Sequence, residues 1–220
     1  MLKSFLQKYK HAWLLLYIFL YLPWFMYVEK KVTTHFHVIH LKIDDKIPFC
    51  EYFIIPYALW FLYISLTVLY FLITNKNEYY KLCAALFTGM TVFLIISTVY
   101  PNGHHLRPVT FMRDNIFVDA VKMLYRSDTS TNIFPSIHVY NSICAHIAIS
   151  RHPGLKQKRW VVNSSFILMS AICMSTVLLK QHSMFDVITA IIMISAVYPL
   201  VYIGDFAVLS NARKEQYKEV

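Results

Sequence analysis

Two histidines and an aspartate in short polar segments of an apolar chain are the residues best equipped for chemistry. His182 and Asp186 are four residues apart, so on a helix they would share a face and the carboxylate would hold one imidazole nitrogen. An imidazole oriented in this way presents its other nitrogen as a nucleophile. His138, at the start of another apolar stretch, would act as a general acid that protonates a leaving oxygen. Together these side chains suit phosphoryl transfer through a phosphohistidine, without a metal.

An anion site is expected beside these histidines. Pro135, Ser136, Ile137 and His138 open one apolar stretch, and proline suits the first turn of a helix. The amides of the three residues after the proline would then be free at the positive end of the helix dipole, where a phosphate binds favourably. Arg107 is permanently charged and is able to bind two phosphate oxygens at once.

Each of these residues also has an ordinary structural interpretation. Asp186 would serve as a capping residue of a polar helix start, with His182 simply preceding it. His138 would be a hydrogen-bonded histidine inside a capped helix, and Arg107 a solvated loop residue. Spacing alone leaves these interpretations open.

The rest of the chain is typical of a membrane scaffold. Of 220 residues, 57% are hydrophobic and 15% are charged, and the mean hydropathy is +0.47. Six apolar stretches stand out, and most approach the ~20 residues that cross a bilayer core. They are 12–28, 52–74, 82–100, 136–150, 160–179 and 185–209. We therefore expect an all-α integral membrane protein, with six transmembrane helices in a bundle and one domain over residues 1–220. The first stretch lacks a small-residue cleavage site, so it is predicted to be a permanent span.

The fourth stretch, 136–150, differs from the others. It is short for a span and carries the polar residues His138, Asn141, Ser142 and His146. A helix of this kind is expected to face other helices rather than lipid.

The distribution of charge predicts the orientation. With the N-terminus inside, twelve of the 21 lysines and arginines fall in the short inner segments, which favours cytoplasmic N- and C-termini. This topology places all three polar segments, and hence the active site, at the outer membrane face. The net charge of +9 is spread over both faces, so it indicates attraction to anionic headgroups rather than nucleic-acid binding.

Other polar residues are assigned smaller roles. His104, His105 and Tyr100 are expected to line the mouth of a headgroup site. His35, His37 and His40 alternate, but no carboxylate or cysteine at ligand spacing completes a set beyond Asp44 and Asp45. The four cysteines show no paired spacing. No metal and no other cofactor is predicted.

The spacing of the polar segments resembles the motifs of the type 2 phosphatidic acid phosphatase superfamily of membrane lipid phosphatases and phosphotransferases. The first family motif ends in Arg-Pro, found here at 107–108, and the second is Pro-Ser-Gly-His, matched by 135–138. The third has Ser-Arg, five residues, His, three residues and Asp, and its spacing is kept by Ser175, His182 and Asp186. The resemblance covers a motif-bearing core at 100–187.

The resemblance implies a role for each matched residue. His182 would be the nucleophile, Asp186 its orienting partner and His138 the general acid. Arg107 and Ser136 would be phosphate ligands.

Three family positions carry a different residue. Tyr100 replaces a lysine, Ile137 a glycine and Thr176 an arginine. Lys180 follows Thr176 by four residues, so on a continuous helix it would supply one phosphate-binding charge one turn nearer the histidine. The family branch with inositol-phosphorylceramide and sphingomyelin synthases keeps mainly the two histidines and the aspartate, and the chain is partly similar to it.

The expected function is therefore a metal-independent membrane lipid phosphatase that hydrolyses a phosphorylated lipid. One alternative is a phosphotransferase that moves a phosphorylated headgroup to a lipid alcohol. An alternative of another class is a noncatalytic lipid-binding or transport protein. The expected partners are a membrane lipid with a phosphorylated headgroup and a lipid alcohol acceptor, and the expected location is a bacterial-type cell membrane.

Overall fold

The computed structural model describes residues 7–31 and 35–203, most of which are helical. A 3₁₀ segment, Lys10–Tyr17, continues directly into the first α-helix. The helices are α1 (Ile18–Lys31), α2 (Ile54–Thr74), α3 (Lys76–Val99), α4 (Ile116–Ser127), α5 (Ile137–Arg151), α6 (Pro153–Lys156), α7 (Arg159–Leu178) and α8 (Met184–Tyr198). The last helix ends in a π-helical turn, Pro199–Ile203. Two short strands, β1 (His37–Val38) and β2 (Asn102–Gly103), pair in parallel.

Five helical segments of the described chain are long and apolar enough to cross a membrane. They are Lys10–Lys31, Glu51–Thr74, Lys76–Val99, Arg159–Leu178 and Met184–Ile203. These correspond to five of the six predicted stretches, although the end of the stretch 185–209 lies outside the described residues. The expectation of a membrane-embedded all-α protein is confirmed at this level, and the sixth span stays a prediction.

Helix α5 occupies the centre of the bundle, where it packs against α2, α3, α7 and α8. Nine of its 15 residues are buried, which confirms the expectation that this helix faces other helices. Helices α5 and α3 approach each other closely at Gly89 of α3. A Cβ atom added to this glycine would lie 2.0 Å from the ring of Tyr140 on α5. The Tyr140 hydroxyl donates to the carbonyl of Ala85 at 2.8 Å, so ring and hydroxyl both join α5 to α3.

The connections on the side of the α5 N-terminus fold over the start of that helix. Strand β1 comes from the first long connection and β2 from the second, and Gly103 also bridges to Thr131. Asn102 fastens the segment before α5, because its Oδ1 accepts from the amides of Ile133 and Phe134, both at 3.0 Å. Residues distant in sequence are thereby collected above α5.

Candidate active site

The start of α8 brings His182 and Asp186 together. Ser183 is the N-cap, and a capping box forms because Asp186 Oδ2 accepts from the Ser183 amide at 2.9 Å. The same oxygen lies 3.3 Å from Nδ1 of His182. The two residues therefore do not share a helix face, since His182 precedes the helix and Asp186 reaches back to it. In the tautomer with its hydrogen on Nδ1, directed at the carboxylate, Nε2 is the unprotonated nitrogen of the ring.

The five-residue hairpin between α7 and α8 fixes the position of His182. Helix α7 ends at Leu178, and the Thr176 carbonyl accepts from the amides of Gln181 and His182, at 2.9 and 3.0 Å. Thr176 is itself fully buried and its hydroxyl donates to Cys173. Thr176, at the position of the arginine in the family motif, therefore helps to form the hairpin through its backbone carbonyl.

Helix α5 begins one residue later than the sequence suggests. Ser136 is the N-cap, with its Oγ accepting from the Val139 amide, so Pro135 precedes the helix instead of occupying its first turn. The Ser136 amide is not free, because it donates to the Asp186 carbonyl at 3.3 Å. The predicted trio of free amides is therefore reduced to Ile137 and His138, the first two helical positions, whose amides lack partners within the helix. The same hydrogen bond joins the starts of α5 and α8.

His138 lies in an aromatic setting next to the other histidine. Its ring centroid is 4.6 Å from that of Tyr57 and 4.3 Å from that of Trp60, both on α2. The centroids of His138 and His182 are 5.9 Å apart. A group held between two imidazoles at this distance is in reach of both, since hydrogen bonds need ~3 Å.

A cavity of about 420 Å³ is lined by both histidines. Apolar side chains from the membrane helices form part of its lining: Leu22, Phe25, Trp60, Phe61 and Phe93. Leu22 on α1 and Phe61 on α2 are also 46% and 64% exposed on the flank of the bundle. The cavity therefore reaches the flank between α1 and α2, where an acyl chain lies in a membrane.

Polar side chains from helix ends and connections near the start of α5 form another part of the lining. They are Glu29, Ser127, Asp128, Thr129, Thr131, Asn132 and Gln181. Sequence reasoning missed these residues, and no motif or spacing distinguishes them.

Arg107 lies behind the wall of the cavity. Its guanidinium donates to the carbonyls of Asp128 and Thr129, both at 2.7 Å, and to Oε1 of Gln181. The guanidinium also lies over the ring of Tyr125, at 4.6 Å from the ring centroid. Arg107 is not among the described residues that line the cavity, but its charge is near enough to contribute to the lowered pKa of His182.

Lys180 is placed away from the cavity. Its Nζ donates to the carbonyls of Asp44 and Ile47, at 2.7 and 2.5 Å. The backbone of Lys180 has φ of 53°, because α7 has already ended and the hairpin is turning. The continuous helix assumed for residues 176–180 is therefore wrong, and the structure does not bring this lysine to the histidines.

The three residues expected at a headgroup mouth have other surroundings. His104 is fully buried, and its Nε2 donates to the Gln181 carbonyl at 2.9 Å while Nδ1 accepts from the Leu106 amide. His105 is exposed and stands against Phe36. Tyr100 stacks on His37 at 4.2 Å. None of these three residues is among the described residues that line the cavity.

Asp44, which the sequence suggested only as a neighbour of the alternating histidines, is a further carboxylate at the α8 N-terminus. It is 2% exposed and accepts from the Ser183 hydroxyl at 2.6 Å and from the Met184 amide at 2.8 Å. Its negative charge is stabilised there by the helix dipole. The first long connection is thereby fastened to the hairpin that carries His182.

Burial sets the protonation of the groups outside the membrane helices. It lowers the pKa of His182 to about 3 and that of His104 to about 4, so both are neutral near pH 7. Burial also raises the pKa of Asp128 to about 6, although Arg107 opposes the rise, so this carboxyl is still largely ionised near pH 7. A neutral His182 is the form that a nucleophile requires.

Within residues 7–31 and 35–203, no group of three or more histidine, cysteine or acidic residues has the arrangement of a metal site. His40 instead pairs with Asp45 at 2.8 Å. All four cysteines are free thiols.

Comparison of the chain with models of known families, with curated proteins and with solved structures found no match.

Proposed function

We propose that the chain is a membrane lipid phosphatase that works through a phosphohistidine at His182. The observation that supports it most is the pair of imidazoles of His138 and His182, whose ring centroids are 5.9 Å apart. Both rings line one cavity, and this cavity reaches the lipid-facing flank of the bundle. Asp186 contacts the imidazole of His182, and the imidazole of His138 lines the same cavity.

The reaction proceeds in two steps. Nε2 of His182 attacks phosphorus, and the bond from phosphorus to the lipid oxygen breaks. The negative charge of the substrate favours the protonated form of His138, which gives its proton to that oxygen. Water, deprotonated by the now neutral His138, then attacks the phosphohistidine and releases the phosphate and free His182.

The proposal includes a topology. Helix α5 is a span in addition to the five longer helical segments, the fourth of six in chain order and the shortest. Both termini are cytoplasmic, and the cavity faces outwards in a bacterial-type cell membrane. The excess of lysine and arginine in the short inner segments supports this orientation.

The test is turnover of lipids labelled on phosphorus by purified protein in mixed micelles. His182→Ala is expected to abolish both product release and acid-labile labelling of the protein, because it removes the attacking nitrogen. His40→Ala is the matched control, since His40 is exposed and pairs with Asp45 outside the cavity. Wild-type turnover by the His182→Ala protein would refute the mechanism.

A phosphotransferase is a second candidate because free positive charge is scarce at the cavity. Lys180 is bound to two carbonyls elsewhere, and Arg107 to three carbonyls and Gln181. A phosphodiester with one negative charge needs fewer cations than a dianionic monoester. In this case a lipid hydroxyl takes the place of water in the second step.

The two candidates differ in how they respond to an acceptor. Phosphodiester lipids are incubated with and without diacylglycerol or ceramide, and both the water-soluble and the lipid products are measured. Hydrolysis predicts release of the phosphorylated headgroup at the same rate in both mixtures. Transfer predicts a labelled lipid product that forms only when the acceptor is present.

A further inference from the structure

The polar lining of the cavity contains a carboxylate, that of Glu29, which forms no ion pair with the described residues, although Arg107 is near enough to interact with its charge. Glu29 lies in the last turn of α1 and accepts from Nδ2 of Asn132 at 3.0 Å and from the hydroxyl of Thr129. In the described parts of the chain, no lysine or arginine nitrogen lies within 4.0 Å of it. Asp128 adds a second carboxylate, whose distance from the Arg107 guanidinium is 4.0 Å. These charges repel a phosphate and attract a cation.

A buried acceptor without a partner lies beside Glu29. Asn132 is 5% exposed, and its Nδ2 is directed at Glu29 and at the carbonyl of Val28, both of which only accept. This pairing fixes the orientation of the amide, so the unpartnered atom is Oδ1, an acceptor. A buried acceptor of this kind is costly unless a ligand donates to it.

A buried donor without a partner lies next to the histidine nucleophile. Gln181 is 2% exposed and its Oε1 accepts from Arg107, so the unpartnered atom is Nε2, which only donates. Gln181 precedes His182 in the hairpin, and both side chains line the cavity. A phosphate oxygen at the histidines is a suitable acceptor for this amide.

The cavity thus has a donor side on the α7–α8 hairpin and an acceptor side on the end of α1 and the segment 128–132. We infer that the lipid substrate carries a phosphodiester headgroup ending in a primary amine, such as phosphoethanolamine. The phosphate meets the histidines and Gln181, while the ammonium donates to Asn132 Oδ1 and pairs with Glu29. This inference rests on the proposed function for the place of the phosphate at the two histidines. Of the two candidates it favours the one that acts on a phosphodiester, in which a phosphorylated headgroup, not free phosphate, leaves the lipid.

The amine class follows from comparing possible headgroups. A terminal hydroxyl satisfies the Asn132 acceptor but leaves the Glu29 charge unpaired. A trimethylated ammonium pairs with the charge and with the aromatic wall but has no hydrogen to donate. A bare phosphate monoester places negative charge near two carboxylates. The primary ammonium alone among these meets both the charge and the acceptor.

The experiment compares phosphatidylethanolamine, phosphatidylcholine, phosphatidylglycerol and phosphatidate in mixed micelles with the full chain. For the wild type, kcat/KM for the ethanolamine lipid is expected to exceed that for the glycerol lipid by at least about tenfold. This is the size of effect expected from one additional ion pair in a partly buried site. Glu29→Gln keeps the shape and removes the charge, so it should reduce this preference to less than about threefold. Asp45→Asn is the control, an acidic residue outside the cavity.

Binding of soluble headgroups separates this inference from the proposed function. Calorimetric titrations use glycerophosphoethanolamine and glycerophosphoglycerol on the wild type and on Glu29→Gln. If no lipid is turned over, the proposed function fails, and tighter binding of the ethanolamine compound by the wild type still supports the inference. Equal binding of both compounds, or equal turnover of the ethanolamine and choline lipids, overturns it. If Glu29→Gln does not fold, Asp128→Asn takes its place with the same expected direction.

Discussion

The carboxylate of Asp186 has two neighbouring donors, one in the helix cap and one on the imidazole of His182. One oxygen accepts from the Ser183 amide, which caps α8, and also from the His182 ring. The capping and the catalytic interpretations of the sequence therefore describe the same atom. The carboxylate that caps α8 is therefore also the group that contacts the imidazole of His182.

Substitutions at Asp186 and Ser183 separate these two roles. Asp186→Asn should leave the fold intact and lower kcat by up to about 10⁴-fold, because the imidazole loses the partner that fixes its tautomer. Ser183→Ala should lower the free energy of unfolding by about 1 kcal/mol, the usual cost of a lost N-cap, while kcat changes much less. Lipid turnover and denaturant titrations of both variants provide the measurements.

The contrary result is also specific. If Ser183→Ala lowers kcat as far as Asp186→Asn does, Asp186 contributes only helix capping, and the orienting role falls.

His104 should make stability depend on pH. Its pKa of about 4 in the fold, against an ordinary value of 6.5, means that the unfolded chain binds a proton first as pH falls. Stability is therefore complete above about pH 6.5 and decreases towards pH 4, with a loss of roughly 2 kcal/mol at about pH 5 from this residue. His104→Gln removes that part of the slope, and His182 contributes in the same direction.

The measurement is the free energy of unfolding in detergent from about pH 5 to pH 7.5. The matched control is His105→Gln, which alters an exposed neighbour and should retain the wild-type slope. An unchanged slope in His104→Gln would show that the buried imidazole does not resist protonation.

Which individual residues were predictable depends on the range of their contacts. His182 and Asp186 were found because their partnership is local, within four residues. The hydrogen bond between Glu29 and Asn132 spans 103 residues, and that between Asp44 and Ser183 spans 139. No pattern in the sequence encodes such pairs. Lys180 was misplaced because periodicity does not reveal where a helix turns into a hairpin.

Among the elements, the contact of α3 with α5 places His138. Gly89 is the residue that permits it, since the Tyr140 ring occupies the space a side chain would take. Both helices were predicted from apolar length, a local property, and the burial of α5 from its polar residues. The helices that pack against α5 were not predicted, because an apolar residue that faces lipid cannot be distinguished in the sequence from one that faces another helix.

Gly89→Ala tests this contact. The new methyl group would lie 2.0 Å from a Tyr140 ring carbon, so α5 or the ring must move, at a cost of about 1–3 kcal/mol. Thermal unfolding should show the loss, and turnover should fall because His138 is carried by the same helix. Gly154→Ala is the control, since its nearest neighbour would be a His152 ring atom at 3.3 Å. Equal stability of the two variants would contradict the close approach.

For the whole molecule, orientation in the membrane decides from which side the cavity is reached. Lys42 lies in the connection after β1, and Lys158 in the short connection before α7, both exposed. In a background with the four native cysteines replaced, Lys42→Cys should react with an impermeant maleimide in intact cells. Lys158→Cys should react only after the membrane is opened. The reverse pattern would place the site at the cytoplasmic face.

Helix α1 stands apart from the rest of the bundle in one respect. It packs mainly on α3, through contacts such as the hydrogen bond from Trp24 to Thr98 at 2.9 Å. It nevertheless supplies Leu22, Phe25 and Glu29 to the cavity, whereas the histidines are carried by elements joined through the bond from the Ser136 amide to the Asp186 carbonyl. Under the proposed function, substitutions in this one peripheral helix therefore change which lipid is accepted, while the two histidines keep their spacing. Substrate preference and reaction mechanism are then carried by different parts of the chain.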